Sequence, residues 1–159
     1  PAGVTVVLIR DDFLQRRNQP LPTMLDYGTH VGKIFNTPPV FAVYIVEKVL
    51  RWLEGLGGLP AIEAINNRKA ALLYERIDRT EFYRGTAEPA SRSKMNVTFR
   101  LPSEELEQRF VEEAKQAGLI GLKGHRSVGG LRASIYNACP IEAVEALVSF
   151  MDYFEQRYG

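Results

Sequence analysis

The chain has 159 residues, 45% of them hydrophobic and 25% charged, which is length and apolar material enough for one ordinary domain with a core and excludes a disordered chain. Lys+Arg 20 against Asp+Glu 19 leaves a net charge of +1, so a general polyanion binder is excluded and no nucleic-acid partner is expected. The longest apolar runs, residues 4–9 apart from Thr5 and residues 40–46, fall far below the roughly 18 needed for a membrane span, and the single cysteine, Cys139, allows no intrachain disulfide. A reducing, cytoplasmic setting is the expectation.

Pro1-Ala2-Gly3 carries neither an initiator Met nor a charged-then-apolar leader. The strand predicted directly after it, residues 4–9, is apolar on both faces, the pattern of a strand covered on both sides of a sheet. Residues 11–35 offer a short polar helix candidate and a Pro- and Gly-containing loop rather than parallel partners. The chain therefore reads as a piece of something larger.

Pro38-Pro39 suits a helix start, and residues 40–54 follow with Phe41, Ile45, Val49, Trp52 and Leu53 at helical spacing. Trp52 is expected to fill the core, and Gly55, Gly57 and Gly58 stop the helix. A second helix is predicted from about 60 to 78, with Ile62, Ile65, Leu72, Leu73 and Ile77 inward and Asn67, Arg68 and Glu75 outward. Met95, Val97, Phe99 and Leu101 alternate with Asn96, Thr98 and Arg100, a strand with one dry and one polar face. Ser103 caps a helix carrying Leu106, Phe110 and Ala114 on one stripe, and Gly118 ends it. Residues 119–122 are predicted as a short strand. After a Gly-rich loop at 123–130, Leu131, Ala133 and Ile135 alternate with Arg132, Ser134 and Tyr136 as another half-buried strand. The last helix begins near Pro140 and carries Val144, Leu147, Val148, Met151 and Phe154 on one stripe. The second half is thus expected as strand, helix, strand, strand, helix, a small α+β layer.

The densest polar cluster is Lys123-Gly124-His125-Arg126-Ser127-Val128-Gly129-Gly130-Leu131-Arg132. Arginine offers a planar fork to carboxylate or phosphate, histidine adds charge or a donor, and glycines let backbone N–H groups approach a ligand. The pattern reads as an anion site, or as a hairpin-like connection with solvated charges; the concentration of His125, Arg126 and Arg132 favours the site. A second candidate is Phe35-Asn36-Thr37-Pro38-Pro39, where an amide and a hydroxyl stand ahead of a helix start and either hold a phosphate or cap the helix. Ser91-Arg92-Ser93-Lys94 reads as a solvated basic loop. Two histidines, His30 and His125, are too few for a His metal cage, so no metal is expected. Cys139 reads as a small residue at a strand-to-helix turn, and Lys33, Lys48, Lys69, Lys94, Lys115 and Lys123 as residues of polar faces or loops, none of them in an apolar pocket.

Three motifs together, Asn36-Thr37-Pro38-Pro39, Arg92-Ser93-Lys94-Met95-Asn96-Val97, and residues 123–130 followed by Arg132-Ala133-Ser134-Ile135-Tyr136-Asn137-Ala138, closely resemble the phosphoserine aminotransferase family. The resemblance runs in order from Pro1-Ala2-Gly3 to the last helix, and covers the C-terminal part of that enzyme. It implies an α/β fold, the C-terminal part of a fold type I pyridoxal-phosphate transferase. One large-domain strand and two long helices would precede a strand-helix-strand-strand-helix small domain. Residues 1–58 would then end the cofactor-binding large domain and form the connecting helix, and residues 59–159 the small α+β domain.

The resemblance further implies a cytoplasmic homodimer that makes phosphoserine from 3-phosphohydroxypyruvate with glutamate as amino donor, using pyridoxal 5'-phosphate. Asn36 and Thr37 resemble the pair that reaches the cofactor phosphate of the neighbouring subunit. Arg132 resembles the clamp on the substrate α-carboxylate, and His125 and Arg126 the pair that reads the substrate phosphate or the distal carboxylate of glutamate. The family's Schiff-base lysine would lie a few residues before Pro1, so no catalytic residue is assigned here and this chain alone is expected to be inactive. Thr98 departs from the family's usual proline. The competing class is a non-catalytic α+β anion-binding or dimerisation module, which the missing lysine formally favours.

Overall fold

In this computed structural model, which describes residues 3–16 and 19–159, the chain divides into two units, Pro1–Leu56 and Gly57–Gly159. Pro1 and Ala2, where the family resemblance begins, lie outside the described residues.

The first unit holds a single helical turn, α1 (Asp11–Leu14), two 3-10 turns at Thr23–Leu25 and Tyr27–Thr29, and the long helix α2 (Val40–Gly55). Asp26 enters the second 3-10 turn by accepting the Gly28 N–H at 2.9 Å. Pro39 precedes α2, its ring fixing φ near the helical value while its carbonyl accepts the N–H of Val43 at 3.0 Å. Two expectations fail in this unit. Residues 4–9 pair with no described strand, and Leu8 is 95% exposed, because a strand apolar on both faces needs ladder partners and covering layers from elsewhere. Trp52 is 42% exposed rather than in a core: α2 buries only Ala42, and Phe41, Val43, Tyr44, Val49 and Leu50 also stand exposed.

The second unit contains the packed core. Helix α3 (Gly58–Asp78) leads to β1 (Arg84–Gly85), β2 (Asn96–Arg100), α4 (Glu104–Gln116), β3 (Leu131–Ser134) and α5 (Ile141–Tyr158). The three strands form an antiparallel sheet in the order β1-β2-β3, with Thr98 opposite Arg132 and Val97 opposite Ala133. Period-2 alternation sends Val97, Phe99, Leu131 and Ala133 to one face. There they meet Leu73 and Ile77 of α3, Phe110 and Ala114 of α4, and Val144, Leu147, Met151 and Phe154 of α5. Phe110 is the hub of this core, with ring centroids 5.0 Å from both Phe150 and Phe154 in edge contacts. Helix α4 forms where expected: the Ser103 hydroxyl accepts the Leu106 N–H at 3.2 Å, and Glu104, Glu105 and Glu107 favour the positive end of the helix dipole.

Residues 119–122 do not form the expected strand. Only an isolated bridge joins Lys123 to Leu131, and the Arg132 N–H reaches the Leu122 carbonyl at 2.9 Å, while the sheet's third strand is supplied instead by the two-residue β1. The order in this unit is therefore strand, strand, helix, strand, helix after α3. On α3, Ile62, Leu73 and Ile77 are buried as expected and Leu72 packs against the core, but Ile65 is exposed, and the polar side chains Asn66, Lys69 and Arg76 join the buried side, where they find partners. Arg76 pairs with Asp152 at 2.7 Å and with Glu155, donates to the Met151 carbonyl at 3.1 Å and stacks on Tyr83. Burial in turn pushes the Tyr83 phenol well above its ordinary value, and its hydroxyl donates to Met151.

The segment Ser91-Arg92-Ser93-Lys94 is not simply a solvated loop. Arg92 is forked onto Asp78 at 2.5 and 2.7 Å and lies over the Tyr74 ring, and the hydrogen bond it donates holds the Asp78 carboxyl below its usual range.

Candidate functional site

Residues 123–130 close back on themselves before β3. The Gly124 N–H donates to the Gly130 carbonyl at 2.9 Å, and the His125 carbonyl accepts from both Val128 at 3.0 Å and Gly129 at 2.8 Å. Gly129 and Gly130 take φ of 74° and 71°, a left-handed pair that side chains disfavour. A side chain at Gly124 would collide with the Gly129 carbonyl and stand 2.6 Å from that of Gly130. The glycines are thus required by this tight reversal, which projects His125, Arg126 and Ser127 outward.

His125 is exposed, and its Nδ1 lies 2.8 Å from the Ser127 hydroxyl and accepts the Ser127 N–H at 3.3 Å. Because a backbone N–H can only donate, neutral His125 carries its proton on Nε2, which leaves that N–H free for a ligand. Arg126 is exposed and its guanidinium makes no hydrogen bond or ion pair within the described residues. A cleft of ≈ 450 Å³ opens between this loop and α4, lined among others by Arg100, Glu107, Lys123, His125 and Arg126. Arg100, at the end of β2, is committed elsewhere: its Nε pairs with Glu107 at 2.6 Å and its Nη1 donates to the Val128 carbonyl at 3.1 Å.

Arg132 does not line that cleft. It stands on the polar face of the sheet opposite Thr98, in a row with Ser134, Asn96 and Tyr136, whose two hydroxyls both donate to Asn96 Oδ1 at 3.1 and 3.2 Å. The Arg132 Nε is buried without a hydrogen-bond partner, and no carboxylate neutralises the guanidinium among the described residues. A desolvated, unpaired arginine donor is costly unless a ligand completes it, so this position suits an incoming carboxylate. The second unit therefore presents two distinct cationic features, the His125–Arg126 turn and the Arg132 fork.

Asn36 and Thr37 lie in the first unit, both exposed, with Asn36 Nδ2 donating to the Thr37 carbonyl at 3.2 Å. Neither caps α2, whose N-cap is Pro39 without a side-chain bond. One amide N–H of Asn36 and the Thr37 hydroxyl stay available, a neutral donor set that fits a phosphate group. Among the described residues no cluster of three or more His, Cys, Asp or Glu could hold a metal, and no helix is long and apolar enough to cross a membrane.

Two features here escaped the sequence reading. Lys69, placed there on a polar face, is 0% exposed, and donates to the carbonyls of Ile135 at 3.1 Å, Tyr136 at 2.8 Å and Cys139 at 3.0 Å. Burial pushes its ammonium below the ordinary value, against a smaller upward pull from Cys139. Together with the Asn66–Asn137 bond of 2.8 Å it pins the turn that follows β3. Its spacing from Ile62, Asn66 and Leu73 along one helix stripe was the available signal. The Arg100–Glu107 pair was the other omission, and only its alternation onto the polar side of β2 hinted at it.

Comparison with known proteins shows the family. The aminotransferase class-V family pattern matches residues 1–147, and the chain belongs to that family. It is similar to the phosphoserine aminotransferase of Geobacillus kaustophilus, 57% identical over 100% of this chain and 45% of the relative. The enzyme of the same name from Niallia circulans is 54% identical over the same shares. Among solved structures it matches phosphoserine aminotransferase from Bacillus circulans subsp. alkalophilus, with TM-score 0.87 and 52% identity over 95% of this chain and 43% of that one. It also matches the PLP-bound enzyme from Trichomonas vaginalis, with TM-score 0.83 and 42% identity over 91% of this chain and 42% of that one. The chain thus spans less than half the length of these relatives. Its mixed helices and small antiparallel sheet are a segment of the PLP-dependent aminotransferase fold.

Proposed function

We propose that the chain supplies the substrate-anion contacts of a pyridoxal-phosphate-dependent phosphoserine aminotransferase, a cytoplasmic homodimer exchanging an amino group between glutamate and 3-phosphohydroxypyruvate. The observation that carries this reading is the unpartnered, desolvated Nε of Arg132, in the same unit as a separate cationic turn at His125 and Arg126. A substrate with an anion at each end needs one planar fork and one further cationic group, and this unit offers both. The names of the relatives at 57% and 54% identity support the same reaction.

In this reading the Arg132 guanidinium takes the α-carboxylate by paired N–H donation. The His125 Nε2–H and Arg126 take the phosphate of the acceptor or the distal carboxylate of glutamate. A turn built on backbone hydrogen bonds, with two outward side chains, tolerates either anion because it recognises charge and oxygen acceptors rather than one fixed shape. Asn36 and Thr37 donate to the cofactor phosphate of the neighbouring subunit. The cofactor, when bound, supplies the carbonyl carbon that receives and returns the amino group. Residues 1–58 serve as the end of the cofactor-binding domain with its connecting helix, and residues 59–159 as the small domain.

In the holoenzyme carrying this segment, Arg132→Ala raises KM for amino donor and acceptor alike, by about a hundredfold for the loss of a bidentate charged pair. Arg126→Ala raises KM for the phosphorylated substrates at least as much as for glutamate. Steady-state kinetics with phosphoserine and glutamate test both, and unchanged constants in the two variants refute the assignment.

A further inference from the structure

We propose that Arg100, held by Glu107, is a positioning residue that sets the 123–130 turn in the shape in which His125 and Arg126 meet the substrate's distal anion; the proposal rests on the function given above. Arg100 ends β2, and its side chain leaves the polar edge of the sheet toward the turn. One side of its guanidinium pairs with Glu107 of α4 at 2.6 Å, and the other donates to the Val128 carbonyl at 3.1 Å. Glu107 is itself fixed, since its Oε1 also accepts the Leu101 N–H at 3.3 Å and its side chain is 9% exposed. A rigid element on each side thus grips the free end of a glycine turn.

The shaft of Arg100 also shapes that turn. A Cβ at Gly130 would stand 2.7 Å from Arg100 Cδ, and one at Gly129 would stand 3.3 Å from its Nη1. Residues 128–130 therefore lie directly against Arg100, and the left-handed pair Gly129–Gly130 is what allows the approach. Val128 and Gly129 in turn donate to the His125 carbonyl at 3.0 and 2.8 Å. The path from Arg100 to His125 is thus one side-chain bond and one turn of backbone.

Charge explains why this arginine does not bind the substrate itself. Glu107 neutralises Arg100, whereas Arg126 has no partner within the described residues. The cleft holds two arginines of different duty, one spent on the turn and one open to the ligand. A guanidinium is needed for the first duty because its fork bonds two acceptors in fixed directions, which an ammonium on a flexible stem does not.

The test uses the holoenzyme carrying this segment, with Arg100→Lys, Glu107→Gln and the double variant. Hydrogen–deuterium exchange of peptides spanning residues 123–131 reads the turn directly, and steady-state kinetics with phosphoserine read its consequence. In Arg100→Lys, exchange in this stretch speeds up about tenfold, as expected for a lost hydrogen bond to a charged donor, and KM for phosphoserine rises by a similar factor while the change in kcat is smaller. Glu107→Gln acts in the same direction, and the double variant is no worse than Arg100→Lys, because both substitutions break one device. Unchanged exchange in Arg100→Lys overturns the clamp while leaving the assignment of His125 and Arg126 standing. Faster exchange with unchanged KM for phosphoserine overturns the positioning role together with the assignment of the turn to the substrate anion. Additive effects in the double variant show two independent contacts and overturn the dyad.

Discussion

Replacing Lys69 by Met keeps most of the side-chain volume and removes only the ammonium, so it isolates what the buried charge contributes. Three carbonyls lose a donor, at Ile135, Tyr136 and Cys139. The Tyr136 carbonyl still accepts the Cys139 N–H at 2.8 Å, which leaves two acceptors without a partner. At about 1–3 kcal/mol for each buried group left unsatisfied, offset in part by the charge no longer held out of water, the net loss of stability is about 3 kcal/mol. Urea unfolding of the two proteins followed by circular dichroism measures it, with the slope of the transition unchanged. The pH dependence supplies a second readout. Burial holds the folded-state value of Lys69 below the ordinary 10.5, so the unfolded chain keeps the proton more tightly. Stability contributed by Lys69 therefore rises as pH climbs from the lowered value toward 10.5, and the gap between wild type and Lys69→Met widens there. A loss under about 1 kcal/mol, or a gap that narrows as pH rises, would refute the account of three carbonyls around a desolvated ammonium.

Two other substitutions probe the turn and the core. Gly124→Ala places a methyl group against the Gly129 carbonyl, whereas Gly55→Ala at the end of α2 meets nothing within 4 Å. The first raises KM for phosphoserine about tenfold and lowers stability by about 1–3 kcal/mol, while the second is neutral or stabilising by up to about 1 kcal/mol; equal effects at both sites contradict the close approach drawn here. Phe110→Ala removes the hub of the aromatic cluster and costs about 3–5 kcal/mol by urea unfolding, and a cost under about 1 kcal/mol means that the core does not centre on this ring.

Much of the second unit was legible because its signals are local and periodic. The alternation through Val97 and Phe99 and through Leu131 and Ala133 identified both long strands, and the same period placed Arg132 on the polar face where it stands. Ser103 announced α4 through a hydroxyl that satisfies an N–H three residues on. Residues 123–130 stood out because glycines and cations rarely concentrate without a turn or a ligand. The family resemblance rested on residues 92–97 and 123–138 of this unit and on Asn36-Thr37-Pro38-Pro39 of the first, and the family match covers residues 1–147.

Where the reading missed, the deciding partner lay far along the chain. Residues 4–9 carry the pattern of a covered strand, yet a strand is assigned by its ladder, and no described strand pairs with them. Residues 119–122 are apolar enough for a strand but touch β3 through one bridge and one N–H, and β1 completes the sheet from the opposite edge. Lys69 reads as a surface residue because its charge has no acceptor within a helical turn, and its acceptors come 66 to 70 residues later. Arg100 finds Val128 across 28 residues. Composition and periodicity are properties of neighbours in sequence, so they assigned the long helices, the two longer strands with their faces, and the cationic turn. Which buried charge meets which carbonyl, and which arginine is neutralised and which left open, depended on contacts that exist only once distant segments have packed together.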